Sequence, residues 1–326
     1  MPKSIDPVPE FVDFESTPVH KAPQDLKANW QFQLPLWRPA AGEPVTEIAI
    51  LTHGFLEGVE RGGHQRKQAR RRYDLIAKEL TERGIAAVFL SLPFHFERGD
   101  DIAADGRFAP IERLRANGSY LYYGGYDQTV ADIRKLVGEI RARPQTFGLD
   151  SLKKIHLVGY SLGGAAALGA SANLGDELAS VTALFSTWGI ATINPDVIED
   201  VFGTKYGFGR VEWESAIAEL AEHKESFDKV FRDLVWGDSG GAWISSCPSR
   251  MLFIHGLSDN IFTADMTLTA NLSVYENVKR MNRQLGMGSS REIVFIAPMT
   301  DHWHMRERKQ VAGYVASFIA NPARRG

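Results

Sequence analysis

One cysteine, Cys247, stands among 326 residues. No intramolecular disulfide can form, which suits a reducing compartment, and a cytoplasmic location is expected. No apolar run reaches the roughly 18 residues of a membrane-crossing helix, so no transmembrane segment is expected. Met1 to Glu10 is rich in proline and mixed in charge, and lacks the apolar centre of a secretory signal. A large excess of charge of either sign is also missing. The formal net charge is −3, which gives no electrostatic case for nucleic acid as a partner. There is no internal repeat and no low-complexity tract. What is present is a chain 44% hydrophobic and long enough to bury a large core, either as one big domain or as one with an insertion.

Short apolar runs alternate with helical patterns along most of this length. Residues 1–27 carry five prolines and no clear period, and read as an arm lying over the surface or partly disordered. Trp30 to Trp37 alternates loosely as an early strand. Further strands are expected at Glu47 to Thr52, Ile85 to Leu92, Lys154 to Tyr160, Val181 to Phe185, Arg250 to His255 and Glu292 to Ile296. Helices are expected over Gln65 to Arg83, Tyr126 to Arg143, Ala264 to Leu285 and Glu307 to Ala320, with a loop at 94–118. This alternation predicts an α/β protein: a mostly parallel central sheet with helices on both faces. Ligands of such sheets bind at the carboxyl ends of the strands.

The alternation breaks once. Between Trp188 and Pro248 lie Trp213, Trp236 and Trp243 and the phenylalanines 202, 208, 227 and 231. Trp213 to Leu234 has a helical pattern. We expect a helical cap at 189–247, inserted after the strand that ends near Phe185. The arm and early strand then occupy 1–44, and the core 45–188 and 248–326.

The strongest local signal is Lys154 to Tyr160 followed by Ser161-Leu162-Gly163-Gly164-Ala165-Ala166-Ala167. A β-rich run meets Gly159-Tyr160-Ser161-Leu162-Gly163, and small helix-tolerant residues follow. That is a strand, a sharp turn and a helix: a nucleophile elbow that raises a serine hydroxyl at a strand's carboxyl end. Three other expected strands end in chemistry-bearing segments. They are His53-Gly54-Phe55, His255-Gly256-Leu257-Ser258-Asp259, and Pro298 to His304.

With these motifs the chain resembles the α/β-hydrolase superfamily over roughly residues 45–320. The resemblance implies the α/β-hydrolase fold and the chain order Ser, Asp, His. It assigns Ser161 as nucleophile, Asp259 as acid and His302 as base, with His304 an alternative because Asp301, not glycine, precedes His302. The backbone N–H groups of Leu162 and Phe55 would form the oxyanion hole, and a single such donor is worth about 3–4 kcal/mol in related enzymes. The implied activity is hydrolysis of a small-molecule carboxylic ester through an acyl-enzyme. Thioesterase, amidase and acyltransferase chemistry share these motifs, and a non-catalytic ligand-binding protein shares the fold. No cofactor is implied.

Several residues invite a second reading. His53, His95, Tyr160, Trp213 and Trp236 are candidate pocket residues. His53 and His255 each precede a glycine and a turn, where imidazole commonly satisfies backbone groups, so no catalytic metal is expected. Arg66, Lys67, Arg70, Arg71 and Arg72 read as a solvated helix face or as a site for an anion. His95 and Arg98 either line the pocket or order their loop. Gly237-Asp238-Ser239-Gly240-Gly241 matches a trypsin-like protease signature, but the α/β alternation argues against that all-β fold.

Overall fold

In the computed structural model of the chain, the described residues are 8–19, 29–40, 42, 44–54, 63–93, 95–98, 118–186, 250–259, 292–299 and 307–321. Among them, eight strands form one sheet: β1 (Glu10–Glu15), β2 (Gln31–Trp37), β3 (Glu47–Thr52), β4 (Ala86–Leu90), β5 (Lys154–Tyr160), β6 (Ser180–Leu184), β7 (Arg250–Ile254) and β8 (Glu292–Ile296). Their order is β1-β2-β4-β3-β5-β6-β7-β8. β2 runs antiparallel to both β1 and β4, and every other pair is parallel.

The central strands are apolar on both faces because both faces are covered. Ile48 and Ile50 of β3 point one way, into a core built with α2 (Gly118–Ala142) and α3 (Leu162–Leu174). Ala49 and Leu51 point the other way, against α1 (Gly63–Thr81) and α4 (Arg308–Ala320). Along α1, Tyr73, Ile76, Ala77 and Leu80 are buried at helical spacing. Gly84 follows at φ 77°, a left-handed conformation that suits glycine.

The chain passes from β3 to β4 on one side and returns to β5 on the other. The order therefore reverses between β3 and β5, and the crevice at that reversal lies outside their carboxyl ends. Thr52 and Gly159 are register partners there, so the turns that follow the two strands leave the sheet side by side.

The structure departs from the sequence expectation at two described places. Residues 10–15, expected within an irregular arm, form the edge strand β1. Its inward side chains are Val12 and Phe14, and Phe14 packs edge-to-face on Phe32 at 5.5 Å between centroids. Only one face of an edge strand is buried, so acidic residues alternate with apolar ones and the run reads as polar. α2 starts at Gly118, ahead of the expected Tyr126. The pair Gly124-Gly125 reads as a break in sequence, yet the helix runs through it. The expected cap at 189–247 and the expected helix over 264–285 lie outside the described residues.

Candidate active site

Ser161 is the single residue between β5 and α3, at φ 50° and ψ −119°. A non-glycine residue in this region is strained and is held there only by its surroundings. Those surroundings are very close. A Cβ on Gly159 would lie 2.1 Å from the Gly163 carbonyl oxygen, and one on Gly163 would lie 2.4 Å from the His53 carbonyl oxygen. Hydrogen bonds fix the same contacts. The Ser161 N–H donates to the Leu184 carbonyl (2.8 Å), tying the elbow to β6. The Gly163 N–H donates to the His53 carbonyl (3.0 Å), and Thr52 Oγ1 donates to the Gly163 carbonyl (3.0 Å), tying it to β3.

This arrangement leaves Ser161 half-buried at the start of a helix. The Ser161 N–H is already used. Leu162 is the first residue of α3, where a backbone N–H has no acceptor within the helix and the dipole favours negative charge.

Asp259 follows β7 on the same edge. The register pairs Tyr160 with Leu184 and Leu184 with Ile254, so the turns after β5, β6 and β7 leave the sheet at one level. Two strand spacings separate β5 from β7, about 10 Å, a gap that an imidazole between a serine and a carboxylate would have to bridge. The Asp259 N–H donates to the Gly256 carbonyl (3.0 Å), closing a tight turn. The Leu257 N–H donates to the Pro298 carbonyl (2.9 Å), joining this turn to the segment after β8. The Asp259 carboxylate is buried, 3.8 Å from His255 Nε2. That distance is an electrostatic contact, too long for a hydrogen bond.

The remaining candidates are distributed unevenly. His53 is fully buried. Its Nδ1 donates to the Gly54 carbonyl (2.7 Å) and its Nε2 accepts the Leu92 N–H (2.9 Å), so both ring nitrogens are engaged. Burial, with His95 nearby, holds its pKa well below the usual histidine range. His95 is buried with Nδ1 2.7 Å from the Pro93 carbonyl, and burial lowers its pKa to about 4. Both imidazoles are therefore neutral near pH 7. Tyr160 is also buried, with the Arg72 guanidinium 3.9 Å from its ring centroid. Phe55, Trp213, Trp236, His302 and His304 lie outside the described residues, as does the Gly237–Gly241 signature.

The family profile described as "Alpha/beta hydrolase family" matches residues 49–313. The chain belongs to the alpha/beta hydrolase family. Its fold is shared with solved structures of low identity. The esterase Est22 is 13% identical, with 96% of this chain and 80% of that one covered and a TM-score of 0.57. The acylaminoacyl peptidase of Pyrococcus horikoshii is 15% identical, with 97% and 42% covered and a TM-score of 0.52. The puromycin-hydrolyzing peptidase of Mycobacterium tuberculosis is 13% identical, with 96% and 39% covered and a TM-score of 0.54. The chain thus spans less than half the length of these two peptidases. No curated protein matches the chain.

One reading that the sequence of this alpha/beta hydrolase suggests is corrected and another is narrowed. The basic run on α1 is not uniformly a solvated face. Arg71 is exposed, whereas Arg72 is buried on Tyr160, and Arg70 is half-buried with its guanidinium 5.6 Å from the Phe89 ring centroid. Arg98 is fully buried and ion-paired with Asp132 at 2.6 Å, so it orders the loop after β4. Burial pulls its pKa down and the Asp132 carboxylate opposes that shift. No local pattern marks Arg98 and Asp132 as partners, because they meet only when α2 docks on the sheet.

Proposed function

We propose that this alpha/beta hydrolase is a serine hydrolase that cleaves a small-molecule carboxylic ester through an acyl-enzyme. In this reading Ser161 Oγ attacks the ester carbonyl carbon while its proton passes to His302. The N–H groups of Leu162 and Phe55 hold the oxyanion. The tetrahedral intermediate collapses, the C–O bond to the alcohol breaks, and His302 returns the proton to the leaving alkoxide. Water then attacks the acyl-enzyme with His302 as base, releasing the acid and restoring Ser161. Asp259 holds the imidazole tautomer and stabilises the imidazolium. Residues 189–247 form a cap, and Trp213 and Trp236 roof an apolar pocket that takes the ester. His53, His95 and Tyr160, all buried, back the pocket wall. A cytoplasmic location accords with the single cysteine.

The observation that carries this reading is the strained Ser161 at φ 50°, ψ −119° between β5 and α3. Strain of this kind is retained at functional sites because it aims a side chain. The buried Asp259 carboxylate on the same edge supports it. The test is reaction with a fluorophosphonate probe and turnover of a panel of esters, thioesters and amides. Labelling and turnover should both vanish in Ser161→Ala. Retention of more than about a tenth of the turnover would remove Ser161 from the mechanism. A wild type that neither labels nor turns over any substrate would be a ligand-binding member of the family.

A further inference from the structure

The peptide between Ser91 and Leu92, just past β4, is gripped at both ends. Its carbonyl oxygen accepts from Arg98 Nη1 (3.0 Å), and its N–H donates to His53 Nε2 (2.9 Å). The C=O and N–H of a trans peptide point opposite ways, so Arg98 and His53 hold one rigid plane from opposite sides. His53 passes the constraint on. Its Nδ1 donates to the Gly54 carbonyl, and its own carbonyl accepts the Gly163 N–H of the elbow. Gly54 packs so closely on the nucleophile that a Cβ there would lie 3.0 Å from Ser161 Cβ.

Arg98 is in turn held by residues far away in the chain. Besides its ion pair with Asp132, its Nη2 donates to Ser16 Oγ (3.1 Å), and its guanidinium lies 4.5 Å from the Phe32 ring centroid. Ser16 Oγ donates to the other oxygen of Asp132 (2.6 Å), which also accepts from Gln128 Nε2 (2.9 Å). The Val19 N–H donates to Gln128 Oε1 (2.8 Å), and the Asn29 N–H donates to the Arg98 carbonyl (3.0 Å). The segment between β1 and β2 therefore meets the arginine on both sides. Arg98, Asp132, Ser16 and Gln128 are all buried.

We propose that Arg98 is a positioning residue for Ser161, acting through the Ser91–Leu92 peptide and His53, and that Ser16 of the N-terminal arm locks Arg98 in place. The inference rests on the serine-hydrolase reading above. A cation at a carbonyl oxygen polarises the peptide and makes its N–H a stronger donor, as in any hydrogen-bonded chain. That donor keeps His53 Nε2 an acceptor and its proton on Nδ1, where it holds Gly54. The turn after β3 and the elbow share hydrogen bonds, so loosening one displaces the other. A displacement of about 1 Å from productive geometry costs up to about a hundredfold in rate.

The test uses the full-length chain and the second-order rate of fluorophosphonate labelling at Ser161. It is read well below each variant's Tm, with near-UV circular dichroism as the check on folding. A wild type that does not label ends the hydrolase reading, and this inference with it. Given labelling, the double variant Arg98→Met/Asp132→Leu replaces the buried pair by apolar groups, a change that folds often tolerate. It should label more slowly by about tenfold or more, with KM for a short-chain ester changed less than about twofold and the loss carried by kcat. Arg98→Lys keeps the charge without the planar fork and should recover part of the rate. Ser16→Ala deletes one hydroxyl and should slow labelling about threefold or more; it decides the question if the double variant does not fold. A lowered Tm with wild-type labelling rates would make the cluster purely structural and overturn the proposal.

Discussion

Gly159 and Gly163 face each other across the elbow with no room for a side chain between them. A Cβ on Gly159 would sit 2.1 Å from the Gly163 carbonyl oxygen and 2.6 Å from the Gly164 Cα. Both obstacles are backbone and neither can swing aside. Gly159→Ala should therefore cost about 3 kcal/mol or more, above the usual overpacking range. Gly138, on the exposed face of α2, has nothing within 4 Å of the same hypothetical atom. Gly138→Ala should stabilise by about 0.5–1 kcal/mol through helix propensity. Urea unfolding of the two variants measures both. A tolerated Gly159→Ala would contradict the elbow geometry.

Ser161 should be better for chemistry than for stability. Its φ of 50° is held by Gly163, Leu184 and the β3 turn. Glycine adopts that conformation without a Cβ penalty, and strain of this kind is worth about 1–3 kcal/mol, against about 0.5–1 kcal/mol of added backbone entropy. Ser161→Gly should thus have a higher Tm than Ser161→Ala, and neither should react with a fluorophosphonate. Equal Tm values would mean that the turn is relaxed.

The elbow was legible because two signals coincide: a β-rich run before Gly159 and small residues after Gly164. The strand and turn that carry Asp259 were legible for the same kind of reason, since a strand pattern runs straight into them. β1 was not, because Glu10, Asp13 and Glu15 mask the two inward positions Val12 and Phe14 of an edge strand. Arg72 was not, because a cation in sequence reads as solvated, and for Arg98 the sequence left open whether it lines the pocket or orders its loop. What buries these two is an aromatic ring or a carboxylate brought up from elsewhere in the chain: Tyr160 for Arg72, Asp132 and Phe32 for Arg98. Such pairings belong to tertiary structure and leave no local period.

The buried histidines make acid sensitivity a prediction. Burial lowers the pKa of His53, His95 and His156 in the folded chain, to about 4 for His95. The unfolded chain then binds protons that the folded one refuses. The stabilising contribution is complete above the unfolded histidine value near 6.5 and is lost as pH falls below it. Each such histidine contributes a slope of up to about 1.4 kcal/mol per pH unit. Urea midpoints should be flat above about pH 7.5 and fall steeply between pH 6 and 4.5. His95→Gln should remove one proton's share of that slope. A flat profile in His-containing wild type would mean that these rings are solvated.

A second serine–histidine–carboxylate arrangement sits at the opposite edge of the sheet and should be silent. His156 Nδ1 lies 2.8 Å from Ser180 Oγ, and its Nε2 lies 3.3 Å from Glu47, which also pairs with Lys154 at 2.6 Å. Ser180 is fully buried within β6, so no substrate carbonyl can reach it. The hydrogen bond to His156, with help from Lys154, holds the Glu47 pKa down to about 2. Stability from Glu47 is then present above pH 4.5 and is lost as pH falls towards 2. Glu47→Gln should lower stability at pH 7 and leave fluorophosphonate labelling unchanged. Ser180→Ala should likewise leave labelling unchanged. Loss of labelling in a folded Ser180→Ala would move the nucleophile away from the elbow.

In the proposed mechanism the base is one of two histidines that follow β8 in the sequence. The Pro298 carbonyl accepts the Leu257 N–H, so the chain leaving β8 runs beside the turn that carries Asp259. His302 comes four residues after Pro298, and His304 four residues before the start of α4 at Arg308. If the segment between is helical, positions two apart point in different directions, so one histidine at most meets Ser161. We expect His302 to be that one. In sequence His302 is the nearer of the two to Pro298, beside the turn of Asp259, and His304 the nearer to the helix α4 that packs with α1. His302→Ala should nearly abolish ester turnover without unfolding the protein, and His304→Ala should cost about tenfold or less. The reverse pattern would assign the base to His304 and leave Ser161 and Asp259 in their roles. If neither change mattered, His255, whose Nε2 lies 3.8 Å from the Asp259 carboxylate, would be the next residue to replace.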